Sequence, residues 1–441
     1  MTSGILMGDK NYLKDLFHRT LTACSPENAV REAVEIEGAK IKIRDHHFES
    51  DEYPVYVLAV GKASIPMFKS LDNIIGNRII KSLIVTPNSP ENCSADQIIT
   101  ANHPVPDEES IKAGRAAASF MESVPKNALI ITLISGGTSS LMCNPAGAIT
   151  LSDLRTTFDL LNQCGASISE INTVRKHCSQ IKGGQLLRYL HQDVTLIDLI
   201  ISDVPSNDPT FIGSGPTVGD PSTYQDAYHV LLEYQLWNKI PESVKSHIEK
   251  GLTGEVVETL SPEEETIKRH ETEIISSAEQ FTQQAADFAS EDGYKCVLSD
   301  QPFNEDVESV ASYITDKVLS NEDRDGNPAI FFFYGESRVV VTGEGKGGRN
   351  QELALRGALK IAGYNNLSWL SAGTDGVDGP TDAAGAIVDG QTITKARDKG
   401  VNPDEHLQNN DSYHFHKQMD TLLVTGPTGN NLMDVVFVIR N

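Results

Sequence analysis

Short apolar runs alternate with longer amphipathic segments through the first half of the chain. The apolar runs are rich in β-branched residues and predict strands at residues 55–60, 82–87, 128–135 and 194–204. Between them, segments such as residues 108–124 have the spacing of an amphipathic helix. Continuously apolar strands separated by helices are typical of a parallel sheet with both faces covered. We therefore predict a Rossmann-like parallel-sheet domain over residues 1–245.

The pattern changes near residue 240, where helical and strongly charged segments continue to about residue 328. A second α/β region follows, with a helix predicted from about Arg349 to Ala362. Its predicted strands lie at residues 330–337, 338–343, 367–373, 383–390, 421–426 and 435–439. We predict a second, smaller α/β domain over residues 246–441.

The predicted strand ends of the first domain carry the candidate binding loops, because parallel α/β sheets bind ligands at the carboxyl ends of their strands. Gly61 and Lys62 follow one strand, and His103 lies in a loop beyond another. A lysine in that position can reach a phosphoryl oxygen or a substrate carboxylate, although a surface lysine capping a turn has the same spacing. His103, which precedes Pro104, is as well suited to orienting a turn as to binding.

A third strand-end loop combines glycines with hydroxyls at a predicted helix start, which suits a phosphate or a carboxylate. Its residues are Ser135, Gly136, Gly137, Thr138 and Ser139. The loop is not a Walker A motif, and no G-x-x-x-x-G-K-[ST] occurs in the chain. It also lacks the second glycine of the G-x-S-x-G elbow, which disfavours a serine hydrolase.

The glycine-rich segment at residues 343–352 matches G-x-G-x-x-G and opens a predicted helix, so a dinucleotide site is one interpretation. The segment also carries Lys346 and Arg349, and two cations beside helix N–H groups suit a polyphosphate. A β-turn with a solvated lysine and an ion-paired arginine is the alternative. The binding candidates of this segment besides Arg349 are Lys346, Gly347, Gly348 and Asn350.

Residues 171–186 look helical and bring Arg175 and Lys182 within two turns, either as solvated cations or as an anion site. Asp203 ends a predicted strand, and Asp375 lies in a glycine-rich turn. Carboxylates on loops suit Mg²⁺, which takes one or two of them together with phosphates and water. Aspartates are also common in such turns for conformational reasons.

The composition of the chain limits which classes of binding partner are expected. The net charge of −24 disfavours nucleic acid and anionic membranes, although basic residues gathered in one place can still hold a small anion. Six scattered cysteines form no C-x-x-C pair and no zinc pattern, and the N-terminus lacks a targeting segment. We expect a cytoplasmic protein, with homo-oligomers possible.

Taken together, these segments resemble the type II glycerate kinase family, whose C-terminal part is the MOFRL module, here residues 328–441. Nine segments in the family's order carry the resemblance: VGKAS, NHPVPD, SGGTSSLM, INTVRKHCSQIKGG, SDVPSNDP with SGPTVGDPST, GKGGRNQELAL, AGTDGVDGPTDAAGA, NDSYHF and TGPTGNN. The cradle reads SGGTSSL where the family has SGG-G-S-A-L, so Thr138 and Ser140 add bulk that could narrow the pocket. Glu336 stands at the family's Gly-Gly-Glu, written Tyr334-Gly335-Glu336 here, and joins the binding candidates.

The resemblance implies an active site in the cleft between the two domains, where the γ-phosphate of ATP passes to the 2-hydroxyl of D-glycerate with help from Mg²⁺. It also implies that Lys62 and Arg349 are the catalytic cations. Asp203 and Asp375 are our own candidates, either for metal binding or for orienting the hydroxyl. Two alternatives remain at this point. One is an NAD(P)-dependent hydroxypyruvate reductase, and the other is a non-catalytic sensor of small molecules with the same fold.

Overall fold

The computed structural model describes residues 9–49, 53–89, 92–264, 266–267, 269–321 and 328–441. The chain forms two compact units, each described here by itself. The first is Pro26–Ile275, and the second joins the described part of Met1–Ser25 to Ser276–Asn441.

The α-helices of the described residues are α1 (Asp9–Ala23), α2 (Pro26–Ala33), α3 (Ser64–Ile75), α4 (Glu108–Glu122), α5 (Thr138–Leu141), α6 (Leu151–Gln163), α7 (Ile168–His177), α8 (Tyr224–Glu233), α9 (Glu242–Leu252), α10 (Ala278–Glu291), α11 (Val307–Ser320), α12 (Arg349–Lys360), α13 (Thr392–Asp398), α14 (Pro403–Gln408) and α15 (Ser412–Met419). Short 3₁₀ turns lie at Gly76–Arg78, Gln185–Tyr189 and Ile212–Ser214.

The strands are β1 (Val34–Glu37), β2 (Lys40–Ile43), β3 (His46–Glu49), β4 (Val55–Val60), β5 (Ile79–Thr86), β6 (Gln97–Thr100), β7 (Leu129–Ile134), β8 (Thr195–Ile201), β9 (Arg269–Ser276), β10 (Lys295–Leu298), β11 (Ala329–Gly335), β12 (Leu367–Gly373), β13 (Gly385–Asp389), β14 (Leu422–Leu423) and β15 (Asp434–Arg440).

The first unit is built on a sheet of order β6-β5-β4-β7-β8-β9. The pairs from β6 to β8 are all parallel, as predicted from their continuous apolar runs. Every residue of β7 and β8 is buried, because helices cover both faces of the sheet. A separate antiparallel meander, β1-β2-β3, completes the unit.

The second unit has a mixed sheet of order β10-β11-β15-β12-β13-β14. Only β10 and β11 are parallel among its recorded pairs. One face packs on α11 and α12 through Trp369, Phe331 and Val436. On the other face, the ring of Phe437 lies 6.4 Å from that of Phe17 in α1, which is why the N-terminal helix belongs to this unit.

Three expectations differ from the structure. Residues 338–343 form no strand, and Val340 is 78% exposed, because this segment has only an isolated bridge at Arg338 and no partner strand. The helix predicted over residues 171–186 ends at His177, so Lys182 lies in the following loop. The boundary expected at residue 245 differs from the observed division after Ile275, because α9 packs on α8 and β9 joins the first sheet.

No helix in the described ranges combines the length and the apolar character needed to cross a bilayer.

A close approach of α4 to the loop after α5 gives a test of the fold. A methyl group at Gly114 would overlap the carbonyl group of Cys143, so Gly114→Ala should lower the free energy of unfolding by about 1–3 kcal/mol despite alanine's better helix propensity. Urea unfolding followed by circular dichroism measures this. Ser119→Ala, at an exposed position of the same helix, is the control and should leave the unfolding midpoint unchanged or slightly higher. Equal behaviour of the two variants would contradict the packing described here.

Candidate functional site

The loops after β4 and β7 lie side by side, because Val60 pairs in register with Ile134. The amide of Lys62 donates to the carbonyl oxygen of Gly136 at 2.9 Å, and the amide of Ala63 donates to Ser135 Oγ at 3.0 Å. Gly61 has a φ of +125° and no room for a side chain, since a Cβ there would overlap Ser135 Oγ. These constraints fix where Lys62 leaves the backbone.

The loop after β7 presents a row of free backbone donors. No described residue accepts a hydrogen bond from the amides of Gly136, Gly137, Thr138 or Ser139. Gly137, with a φ of +88°, begins the single turn of α5. Successive amides that point out of a glycine turn form a cradle for an anion. The geometry therefore supports the cradle predicted from the sequence.

Thr138 does not narrow this cradle, contrary to the expectation from its bulk. Its hydroxyl is fully buried and donates to the carbonyl oxygens of Val60 at 3.0 Å and Ser135 at 2.8 Å. The side chain therefore braces the two loops from behind. Ser140, the other departure from the family pattern, does line the adjoining cavity, and its hydroxyl donates to the carbonyl oxygen of Gly137.

Lys62 and His103 border the cradle. A Cβ placed on Gly137 would lie 2.9 Å from His103 Cδ2 and 3.4 Å from Lys62 Cγ. Burial, together with the charge of Lys62, lowers the pKa of His103 to about 4, so the imidazole is neutral at pH 7. No carboxylate of the described residues lies within ion-pair distance of Lys62, which leaves its ammonium available to an anion.

A cavity of about 400 Å³ opens beside the cradle. It brings together five of the predicted binding residues, namely His103, Gly137, Ser139, Arg175 and Lys182. Lys182 lines the cavity, although it lies in the loop after α7 and not in the predicted helix. Its ammonium donates to the carbonyl oxygens of Ser139 at 2.7 Å and Met142 at 3.1 Å.

Two of the cations that line this cavity, Arg175 and Lys182, have no carboxylate partner among the described residues. Arg175 Nη1 donates to Asn172 Oδ1 at 2.9 Å, and no carboxylate of the described residues pairs with Arg175 or with Lys182. Lys182 is 3% exposed. Burial lowers the pKa of its ammonium to about 8, and Arg175 adds a smaller effect in the same direction. Two partly desolvated positive charges favour an anionic ligand.

In the second unit, the N-terminus of α12 places Arg349 against two carboxylates. Its Nε donates to Asp434 Oδ2 at 2.6 Å and its Nη2 donates to Asp434 Oδ1 at 3.2 Å. Its Nη1 donates to Glu336, which follows β11. Burial lowers the pKa of Arg349, whereas its acidic neighbours raise that pKa, and the acidic neighbours have the larger combined effect. Arg349 is thus an anchored cation, ion-paired as in the alternative interpretation of this segment.

Asp434 and Asp378 complete this cluster, and no role was predicted for Asp434 from the sequence. Asp434 is 2% exposed and also accepts from Asn350 Nδ2 at 2.8 Å. Asp378 caps α12 by accepting from the amides of Asn350 and Gln351. The available sequence signals were that Asp434 begins an apolar strand and that Asp378 lies within a glycine-rich turn. Asn350 is buried, so it holds Asp434 in place rather than facing a ligand.

The glycine-rich segment does not offer the phosphate loop expected of it between Gly343 and Lys346. Those backbone amides donate to Asn409, Asn410 and Asp411. The glycines there are needed for close packing, because a Cβ on Gly343 or Gly345 would overlap the backbone of Asn409. The amides of Gly347, Gly348 and Arg349 are different, since no described residue accepts from them.

Lys346 turns away from these free amides. Its ammonium lies 4.7 Å from the ring centre of Tyr413, whose hydroxyl donates to Asp382 at 2.8 Å. A cation over an aromatic face is a stabilising contact, and here it fastens the segment to α15.

The two candidate metal ligands belong to different units. Asp203 follows β8 and does not line the cavity. Asp375 follows β12, and its Oδ1 accepts from the amide of Val377 at 3.1 Å. Within the described part of the chain, no group of three or more histidine, cysteine or acidic side chains is arranged to hold a metal. A single carboxylate such as Asp375 still fits Mg²⁺ that is shared with phosphate oxygens.

The fold is that of an α/β protein whose candidate binding loops follow the ends of its parallel strands. Residues 12–249 match the family model described as Domain of unknown function (DUF4147), and residues 329–434 match the MOFRL family model. The chain belongs to the glycerate kinase family with a C-terminal MOFRL domain.

Relatives and a solved structure are similar over nearly the whole chain. A glycerate 2-kinase of Pyrococcus horikoshii is 39% identical over 96% of this chain and 96% of its own. A crystal structure of a glycerate kinase from Thermotoga maritima is 33% identical and covers 98% of this chain and 99% of its own, with a TM-score of 0.85. A relative from Agrobacterium vitis, 36% identical over 86% of this chain and 85% of its own, carries the provisional name of a hydroxypyruvate reductase.

The lowered pKa of Lys182 predicts how its contribution to stability changes with pH. The unfolded chain holds this proton up to about pH 10.5 and the folded one only to about pH 8, so the cost of burying the charge is full below pH 8 and disappears as the pH rises towards 10.5. Lys182→Met removes that cost. The stability advantage of the variant over the wild type should therefore shrink by about 2 kcal/mol between pH 7 and pH 10.

Urea unfolding of both proteins at several pH values measures this difference, in which the other titrating groups cancel. Lys417→Met, at an exposed lysine of α15, is the control and should differ from the wild type equally at all pH values. A constant difference for Lys182→Met would mean that this ammonium is not desolvated.

Proposed function

We propose that the protein transfers the γ-phosphate of ATP to the 2-hydroxyl of D-glycerate, giving 2-phosphoglycerate, with Mg²⁺ assisting. The observation that carries this proposal is the cradle of free amides at Gly136–Ser139, bordered by the unpaired ammonium of Lys62, in a chain of the glycerate kinase family. The relative from Pyrococcus horikoshii is named for the same reaction.

Phosphoryl transfer depends mostly on positioning and on charge stabilisation, so few side chains need to react. We assign Lys62 to a phosphoryl oxygen or to the glycerate carboxylate, and the cradle to substrate or phosphate. We assign Arg349, with the free amides of Gly347 and Gly348, to the transferring phosphoryl group. Asp434 positions the guanidinium of Arg349 from its buried side.

His103 suits an uncharged polar group rather than a phosphate. Because its pKa lies near 4, the neutral ring offers one donor and one acceptor nitrogen at pH 7. Such a pair can hold a hydroxyl group without adding charge.

Mg²⁺ would neutralise charge on the phosphates as it develops. Asp375 and Asp203 are the side chains that we assign to it, and each can supply one carboxylate. Glu336 and Asp434 are less available, because both hold Arg349.

The reductase alternative loses support from the glycine-rich segment. A pyrophosphate bound as in a Rossmann fold needs free amides along G-x-G-x-x-G, and those from Gly343 to Lys346 are occupied. None of the six cysteines, all within the described ranges, forms a disulfide bond, which is consistent with a reducing compartment, and we propose that the enzyme acts in the cytoplasm.

The central test is the product. Purified protein with ATP, Mg²⁺ and D-glycerate should release ADP, and the product should be 2-phosphoglycerate by ³¹P NMR against both standards. The 3-phospho isomer would correct the position of transfer. Oxidation of NADH by hydroxypyruvate without any ATP requirement would instead establish the reductase, and glycerate binding without ADP release would favour the sensor.

The role of Arg349 predicts the effect of Arg349→Lys. Lysine keeps the charge but lacks the planar fork, so turnover should fall by about 10²–10³-fold while D-glycerate and nucleotide still bind. Steady-state kinetics gives the kcat, and thermal unfolding shows whether the fold survives. Lysine is preferred to alanine because alanine would leave Asp434 buried without a partner and destabilise the unit.

Arg356→Lys is the matched control. Arg356 lies on the same helix and forms ion pairs with Glu352 and Glu308, so its replacement should leave kcat nearly unchanged. Equal kcat values for wild type and Arg349→Lys would remove the fork of Arg349 from the mechanism.

A further inference from the structure

The cavity beside the cradle is lined by both buried and exposed side chains. Among its lining residues Lys182 and Cys178 are buried, whereas Val105, Asp159 and Asn162 are exposed. Its volume of about 400 Å³ lies in the range of sites for drug-sized ligands and exceeds the needs of a three-carbon acid.

Apolar side chains from two segments line the cavity. Pro104, Val105 and Pro106 belong to one segment, and Leu154 and Phe158 of α6 belong to the other. Every carbon of glycerate carries an oxygen, so such walls offer it nothing. A purine base has flat apolar faces that gain free energy in a slot of this kind.

The wall at Pro104–Pro106 is held in place before any ligand arrives. Arg155 Nε donates to the carbonyl oxygen of Pro106 at 2.9 Å, and Asn102 Nδ2 donates to that of Val105 at 3.0 Å. Val105 is thereby kept 50% exposed at the cavity rather than folded into the core. A preformed wall lowers the entropy cost of binding.

Charge lies at the buried end. Arg175 stacks 4.8 Å from the ring centre of Phe158, which connects the apolar wall to the cations. Neither Arg175 nor Lys182 has a carboxylate partner in the described residues, so an anionic group there would offset the cost of their burial. A ligand for the whole cavity thus has an apolar planar end and an anionic end.

We propose that this cavity binds the adenine nucleotide, with the base between Val105 and Phe158 and the phosphates towards Arg175, Lys182 and the cradle. Asp159 and Asn162 at the mouth suit the ribose hydroxyls. The inference rests on the proposed kinase function and assigns D-glycerate to a place outside this cavity.

Val105→Trp tests the assignment, because an indole at this exposed position fills the mouth without disturbing the core. The Kd for ADP, measured by isothermal titration without glycerate, and the KM for ATP should both rise at least about tenfold, while the KM for D-glycerate stays within about twofold. Val257→Trp is the matched control, since Val257 is a 71% exposed valine of the same unit that does not line the cavity, and it should behave as wild type.

A second variant tests the phosphate end. Arg175→Gln should weaken ADP at least about tenfold and leave the weaker binding of adenosine within about twofold, because adenosine carries no charge. Equal losses for both ligands would contradict the orientation.

The outcomes separate this inference from the proposed function. If Val105→Trp raises the KM for D-glycerate and leaves the Kd for ADP unchanged, the cavity belongs to the acid and the proposal is overturned, while the kinase stands. If neither constant changes, the cavity binds neither substrate and the proposal also fails. If ADP binding is lost in Val105→Trp but the wild type never phosphorylates D-glycerate, the nucleotide site stands and the proposed function fails.

Discussion

The parallel pairing of β4 with β7 is the constraint on which the first unit's site depends. Its register places the residues after Val60 directly beside those after Ile134, and Gly61 allows the two loops to touch. Ser135 then accepts from the neighbouring loop, so the direction of Lys62 and the row of free amides are set by the same contacts. A one-residue slip between these strands would turn every side chain of the loop to the opposite face.

Four strands of the first unit, β4, β5, β7 and β8, could be predicted because each contains a continuous apolar run that is buried in the sheet. The polar and partly exposed strands β6 and β9 offered no such signal. Residues 338–343 have a similar composition but form no strand, since a ladder needs a partner strand that no local pattern reveals. The glycines from Gly343 onwards suggested a phosphate loop because the local sequence does not show which distant residues pack against them. Their amides are taken by Asn409 to Asp411, distant in sequence, whose approach leaves no mark in the segment itself.

Among the candidate site residues, those whose role depends on local sequence could be predicted, and those whose role depends on distant partners could not. Lys62 and the cradle could be predicted because their chemistry is local to a strand end. Lys182 was expected on a helix and reaches the cavity from a loop, through carbonyl groups that the sequence does not display. Asp434 was missed because a buried acid has meaning only through its partner, and Arg349 lies far away in sequence.

The two sets of cations differ in whether carboxylates balance their positive charge. Arg175 and Lys182 have no carboxylate partner in the part of the chain that the structure describes, although the net charge is −24, whereas Arg349 holds two carboxylates. An anion approaching Arg349 must therefore compete with a carboxylate. Glu336 is 46% exposed and can return to water at little cost, whereas Asp434 is 2% exposed and would be left buried without its partner. The competition is thus with Glu336, and Asp434 keeps the guanidinium oriented while it occurs.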